Sequence, residues 1–221
     1  MAMNAKTATG GAGGGSTPAL EAGTYPARLV QVLDCGKHPQ SYKGEEKDPR
    51  QEIMLTYELC DEFLMDRDGN VQEDKPRWVS ESFVLYNLGS EKAKSTKRYM
   101  VLDPAVEKGG DFTQLLGTPV NVTLVQNPGK GANAGKVFAN VDAISPMRAK
   151  DAERAPELIN NPVVFDLDAP DTEVFFSLPE WIRKRIASNL EFEGSLLARQ
   201  IGDSDDKPQV DEDPDEGDEP Y

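Results

Sequence analysis

The residues best suited to chemistry lie in 77–99, where aromatic rings are followed closely by positive charges. Within 77–86, alternation places apolar residues on one face, interrupted by Glu81, and a polar set bounded by Trp78 and Tyr86 on the other. Four cations then fall within seven residues: Lys92, Lys94, Lys97 and Arg98. Rings stack on bases and cations meet phosphates, so the stretch predicts a surface for single-stranded nucleic acid. The alternative is a solvated strand face followed by a solvated helix face.

Two further segments, both predicted to be loops, carry aromatic or basic residues that could contact nucleic acid. Both are polar and punctuated by glycine or proline, 35–50 near the start and 127–135 between two later strands. A second basic cluster, 183–185, is better interpreted as part of a packing helix or a dimer contact. The complete predicted DNA-binding set is Lys37, Tyr42, Lys43, Trp78, Tyr86, Lys92, Lys94, Lys97, Arg98, Lys130, Lys136 and Phe138.

Catalytic and metal-binding patterns are not evident in the sequence. The single histidine, His38, has no nucleophile or metal-ligand spacing around it, and Cys35 and Cys60 are expected to be reduced and structural. The segment 66–70 lacks the Gly and Glu that a calcium loop needs at its sixth and twelfth positions, so it predicts a turn. The segment 127–136 does not match a phosphate-binding P-loop. We therefore predict no enzyme activity, no metal and no cofactor.

The elements around the candidate surface are mainly β-strands. A helix with Ser90 as its cap, ended by Asp103-Pro104, lies between the third and fourth strands, and a short apolar turn follows it at 112–116. This order is that of the OB-fold, a five-stranded Greek-key barrel that binds oligonucleotides with strands 2 and 3 and with loops 1–2 and 4–5. The predicted elements are strands over 25–34, 51–60, 77–86, 119–126 and 136–144 and a helix over 91–102.

Around this core, composition divides the chain into four parts. Ten acidic residues and one lysine fall in the last part, whereas the first is rich in glycine. The third part contains β-like pieces at 163–167 and 173–176 and a helix over 178–190 with a capping box at Ser177. The predicted parts are a flexible leader (1–22), an OB-fold core (23–147), a C-terminal extension (148–202) and a disordered acidic tail (203–221).

The net charge of −15 at first argues against a polyanionic ligand, but much of it lies in the tail. The remaining body is only mildly acidic and can still present a basic face. No apolar run approaches the roughly 18 residues of a membrane span, and the N-terminus has no apolar signal-peptide core. We expect a cytoplasmic protein with no membrane partner.

Three stretches resemble single-stranded DNA-binding proteins encoded by bacteriophages. They are RWVSESFVLYNL with KAKSTKRY at 77–99, LPEWIRKRI at 178–186, and the tip Asp218-Glu219-Pro220-Tyr221, which is similar to the acidic tips of bacterial single-stranded DNA-binding proteins. Those tips typically end in Phe, so Tyr221 is a departure.

The resemblance implies sequence-nonspecific binding of single-stranded DNA in phage DNA replication or recombination, in the host cytoplasm. It also implies that the tail recruits replication or recombination proteins and competes with DNA. The alternative is a non-catalytic virion structural or assembly adaptor protein. Homo-oligomerisation stays open.

Overall fold

The protein is mainly β. The computed structural model describes residues 19–202 apart from 130, 132, 133 and 136. One sheet runs in the order β3-β2-β1-β4-β5 with antiparallel neighbours, and β6 adds to β1 in parallel. The strands are β1 (Gly23–Tyr42), β2 (Glu45–Met65), β3 (Val71–Val84), β4 (Pro119–Pro128), β5 (Val137–Pro146) and β6 (Val163–Phe165).

Short helices connect and follow the strands. None of those in the described part of the chain has the length and apolar character needed to cross a membrane. They are α1 (Lys94–Leu102), a 3-10 helix (Phe112–Leu115), α2 (Ala149–Ala152), α3 (Thr172–Ser177), α4 (Glu180–Ala187) and α5 (Leu196–Gly202).

The sheet has a hydrophobic cluster on each of its two faces. The inner cluster joins the inward residues of all five main strands to α1 and the 3-10 helix, with Tyr57 and Tyr99 among its fully buried rings. The outer cluster joins Leu33, Cys35 and Met54 of β1 and β2 to β6, α3, α4 and α5. Consequently the C-terminal extension packs onto the outer face of β1 and β2.

This packing changes the interpretation of the second strand. Its even-numbered residues alternate with apolar ones, a pattern typical of a strand with one solvated face, yet all four of those from position 52 to position 58 are buried. The carboxylates on this face are buried because the extension brings hydrogen-bond donors to them. The buried residues are Glu52, Met54, Thr56 and Glu58.

The predicted loop 35–50 is wrong, because this segment completes a long hairpin of β1 and β2. At its tip, Lys43 and Gly44 both have positive φ, +54° and +77°, as in a two-residue turn that matches the twist of a hairpin. At its base, the Leu190 amide donates to the Lys37 carbonyl at 2.8 Å. A Cβ added to Gly36 would lie 2.5 Å from the Asn189 side chain, so the extension approaches the hairpin backbone closely.

Two predictions in the extension are also wrong. Residues 173–176 form α3 rather than a strand, because the Asp171 side chain accepts from the amides of Glu173 and Val174 and starts a helix there. Ser177 ends α3 instead of capping a helix over 178–190, and Pro179 precedes the shorter α4. The predicted strand at 163–167 is confirmed as β6.

The helix after the third strand is confirmed, but it begins at Lys94 and Ser90 does not cap it. Its first turn is fixed from outside instead. The Ser95 hydroxyl accepts from the Tyr86 amide at 3.0 Å, and the Thr96 hydroxyl donates to the Asn87 carbonyl at 3.3 Å. These bonds attach the start of α1 to the chain leaving β3.

Candidate nucleic-acid interface

The outward face of β3 is open, as its alternation predicted. Val79, Glu81 and Phe83 point inward and are buried, whereas Ser80 and Ser82 are exposed. Trp78 is 40% exposed and Tyr86, just past the end of the strand, is half-buried. A strip with two hydroxyls between two rings therefore faces solvent, and we call residues 78–86 on this face the β3 strip.

The ring at one end of the β3 strip is held by a carboxylate. Trp78 Nε1 donates to Glu58 Oε2 at 3.1 Å across the β2–β3 ladder. Glu58 is buried and also accepts from the Ile159 amide at 2.7 Å and from the Asn160 side chain at 2.6 Å. Because these donors satisfy the carboxylate, the indole is fixed in orientation while part of its surface stays exposed.

Positive charge gathers at the other end of the β3 strip. The Arg50 guanidinium lies 4.9 Å from the centre of the Tyr86 ring, a cation–π arrangement. The bond from Tyr86 to Ser95 places the start of α1 beside it, and Lys92 and Lys97 are exposed near that start. Within the described residues, Arg50, Lys92 and Lys97 form no ion pair, so their charges are available to an anion.

Arg98 does not belong to this surface, contrary to the sequence prediction. It is buried, and its Nε and Nη2 atoms donate to the two oxygens of Glu81 at 2.9 Å each. Its Nη2 atom also donates to the Asp142 carbonyl of β5 at 2.9 Å. A carboxylate on an apolar strand face needs such a partner, so Arg98 neutralises Glu81 and links β3 to β5.

Two neighbours complete the environment of Glu81. The Tyr57 hydroxyl donates to Glu81 Oε1 at 2.9 Å, and burial raises the pKa of Tyr57 well above 10, so the phenol keeps its proton. Lys94 lies 3.1 Å from Glu81 Oε2 but remains partly exposed. The charge of Lys94 is therefore largely neutralised by Glu81.

The hairpin tip carries Tyr42, whose ring is exposed and has Lys43 Nζ at 5.4 Å from its centre. The pairing directions put this tip at the same end of the sheet as Tyr86. Lys37 instead forms an ion pair with Glu191 of the extension. The structure thus brings Tyr42 and Lys43 towards the Tyr86 end of the β3 strip, whereas Lys37 is bound to Glu191 of the extension.

Phe138 is exposed at the start of β5, opposite Asn127 of β4. Strand directions place it at the end of the sheet away from the hairpin tip, so it does not join the basic end. The predicted contacts Lys130 and Lys136 lie outside the described residues. The same holds for the tail residues Asp218, Glu219, Pro220 and Tyr221.

A cavity of about 420 Å³ lies between the hairpin and the extension, and no residue of the β3 strip lines it. Its lining includes Asp34, Asp168 and Glu191 against one cation, Lys37, which is paired to Glu191. Burial raises the pKa of Asp34, and the negative charges of Asp166 and Asp168 raise it further. Such a lining repels phosphate, so the cavity is not a continuation of the candidate surface.

Sequence reasoning did not select three residues that shape this interface: Arg50, Glu58 and Ile159. Arg50 lies opposite Tyr86 because the pairing of β2 with β3 continues in the same register beyond Glu52 and Val84. Glu58 alternates with apolar residues as solvated strand residues do, and Ile159 lies in a part of the extension for which no strand or helix was predicted. Each depends on pairing between distant segments, for which the local sequence carried no signal.

Among residues 19–202 as described, no three His, Cys, Asp or Glu side chains are grouped so that they could hold a metal ion. Comparisons of the chain with protein-family models, curated proteins and solved structures gave no match.

Proposed function

We propose that this chain is an OB-fold protein that binds single-stranded DNA without sequence preference, in phage DNA replication or recombination. The observation that carries the proposal is the β3 strip, which keeps two rings at an open surface, one of them beside Arg50, Lys92 and Lys97, which form no ion pair with the described part of the chain. Rings and cations in this combination suit the bases and phosphates of a single strand.

The strand order supports the OB-fold part of the proposal. A helix follows the third strand, and Cα atoms of β3 and β5, the two ends of the sheet order, approach to within 8 Å. Closure of β3 onto β5 would turn the sheet into a five-stranded barrel. Arg98 already spans this gap through Glu81 and the Asp142 carbonyl.

Both kinds of contact would contribute to affinity. Each base stacked on Trp78 or Tyr86 would contribute about 1–3 kcal/mol and would tolerate any base. Three phosphate contacts, from Arg50, Lys92 and Lys97, would give a slope of log affinity against log salt of about −2. Hydroxyls of Ser80 and Ser82 would add hydrogen bonds without reading sequence.

The acidic tail, 203–221, would act as a competitor and a recruiter. Its ten carboxylates can occupy the cations at the Tyr86 end, and its terminal Pro220-Tyr221 pair can insert into a pocket of a replication or recombination protein. Removal of residues 203–221 is therefore expected to tighten DNA binding.

Fluorescence anisotropy of a labelled dT20 with the full chain at 50 and 200 mM salt tests the proposal. We expect salt-sensitive binding that weakens at least tenfold in Trp78→Ala, because the stacking ring is lost. Trp181→Ala is the matched control, since Trp181 is also an exposed tryptophan, at 57%, but lies on α4 outside the β3 strip, and its loss should leave affinity unchanged. If the wild-type chain does not bind at 50 mM salt, the proposal is wrong.

A further inference from the structure

The C-terminal extension is fixed to the outer face of the sheet by buried charges. On β1, Arg28 donates to the carbonyls of Ala155 and Pro156 at 3.0 and 2.7 Å. On β2, Glu58 accepts from the amide of Ile159. These two clamps hold 155–160 across β1 and β2 at the level of Trp78, because Arg28 pairs with Glu58 and Glu58 pairs with Trp78 in the sheet.

A third clamp lies further along β2. Arg185 of α4 donates to Glu52 Oε2 at 2.6 Å, and Gln40 donates to the other oxygen of the same carboxylate at 2.9 Å. Exposing the outer face of β2 would leave Glu52 and Glu58 without these partners, and uncompensated buried charges are strongly unfavourable. Over the stretch of β2 from Glu52 to Glu58, a ligand therefore meets the extension beside β3.

We infer that the single strand lies along β3, with Arg50 at the Tyr86 end as its contact from β2, and that Ile159 of the extension is one of its contact residues. This inference rests on the proposed function. Ile159 is 50% exposed and its amide binds the same carboxylate that holds the Trp78 indole. The indole and the Ile159 amide are therefore held by the two oxygens of one carboxylate, and we expect a base stacked on Trp78 to contact the exposed Ile159 side chain.

The two ends of this path differ in charge. Arg50, Lys92 and Lys97 lie at the Tyr86 end, whereas before Trp78 on β3 the acids Glu73 and Asp74 offset Lys75 and Arg77. Phosphates are therefore attracted mainly to the Tyr86 end, and the Trp78 end binds through stacking and apolar contact. A short oligonucleotide should occupy the Tyr86 end first.

The length of the path sets the size of the site. The eight steps from Trp78 to Tyr86 span about 26 Å at roughly 3.3 Å per residue. A strand stacked as in a duplex covers this distance with about eight nucleotides, and an extended strand with fewer. We therefore expect dT10 to reach both rings and dT4 to reach only one.

The experiment uses full-length Trp181→Phe, in which Trp78 is the remaining tryptophan. Its fluorescence is followed during titration with dT4 and dT10, in the parent and with Ile159→Ala added. Leu190→Ala is the matched control, because Leu190 is also an exposed aliphatic residue of the extension, at 55%. Circular dichroism and thermal unfolding check that each variant is folded.

We expect dT10 to quench Trp78 and dT4 to bind with little quenching. Ile159→Ala should weaken dT10 binding about three- to tenfold and leave dT4 binding unchanged, while Leu190→Ala changes neither. Full quenching by dT4, or equal dT10 affinities for Ile159→Ala and Leu190→Ala, would overturn the inference while leaving DNA binding intact. Failure of the parent to bind either oligonucleotide would instead overturn the proposed function.

Discussion

Lys97 and Arg98 are adjacent basic residues of α1, and the structure assigns them opposite roles. Arg98 is buried against Glu81, whereas Lys97 is exposed near the basic end of the β3 strip. Replacing each by methionine removes the charge and keeps a long side chain. We predict that Arg98→Met loses stability and that Lys97→Met loses DNA affinity.

The cost of Arg98→Met follows from its contacts. Removing one partner of a buried ion pair typically costs 3–5 kcal/mol, because the other charge stays buried. Glu81 retains Lys94 and the Tyr57 hydroxyl, so we expect the lower end, about 3 kcal/mol. At 2–4 °C per kcal/mol for a chain of this size, the melting temperature should fall by about 6–12 °C.

Urea unfolding followed by circular dichroism measures the stability of both variants, and dT20 titration at a temperature where both are folded measures affinity. Lys97→Met should change the unfolding free energy by less than about 0.5 kcal/mol and make the salt slope shallower by about 0.7, the value for one lost phosphate contact. Arg98→Met should keep the wild-type slope. A stability loss below about 1 kcal/mol in Arg98→Met, with a weaker salt dependence, would refute the assignment.

Three further outcomes follow from the structure. Burial raises the pKa of Tyr57 above its unfolded value of about 10, so the protonated phenol stabilises the fold below that pH. The free energy of unfolding should therefore fall as the pH rises above about 10. Urea unfolding at pH 8–11 should show this loss in the wild-type chain and not in Tyr57→Phe. Burial raises the pKa of Cys60 to about 11, so iodoacetamide should modify it at pH 8 on the order of a hundredfold more slowly than a free cysteine, and equal rates would contradict this. Glu58→Ala should speed hydrogen exchange of the Ile159 amide measured by mass spectrometry, and unchanged protection would show that the clamp is unimportant.

Local alternation was sufficient to predict the main strands, the two faces of β3 and the helix that follows it. It also contained the signal for the role of Arg98, although the prediction did not use it. Glu81 interrupts an apolar face, and a carboxylate there requires a buried cation. With Lys94, Lys97 and Arg98 spaced along one helix, only the three-dimensional packing decides which of them turns inward.

The outer face of β2 could not be predicted from local sequence. Glu52 and Glu58 alternate with apolar residues as solvated strand residues do. Their partners in the extension, Arg185 and Ile159, lie more than 100 positions later in the chain. The hairpin was missed for a related reason. Its residues are polar and charged, yet register brings them into cross-strand pairs that a loop assignment does not consider.

The central claim is that single-stranded DNA lies on the outer face of β3. Photocrosslinking of the full chain to dT10 with one 5-bromouracil at each position in turn, followed by peptide mapping, tests it most directly. The account predicts crosslinks at Trp78 and Tyr86, at opposite ends of the oligonucleotide. Crosslinks confined to α4 or to β4 and β5, with neither ring modified, would contradict it.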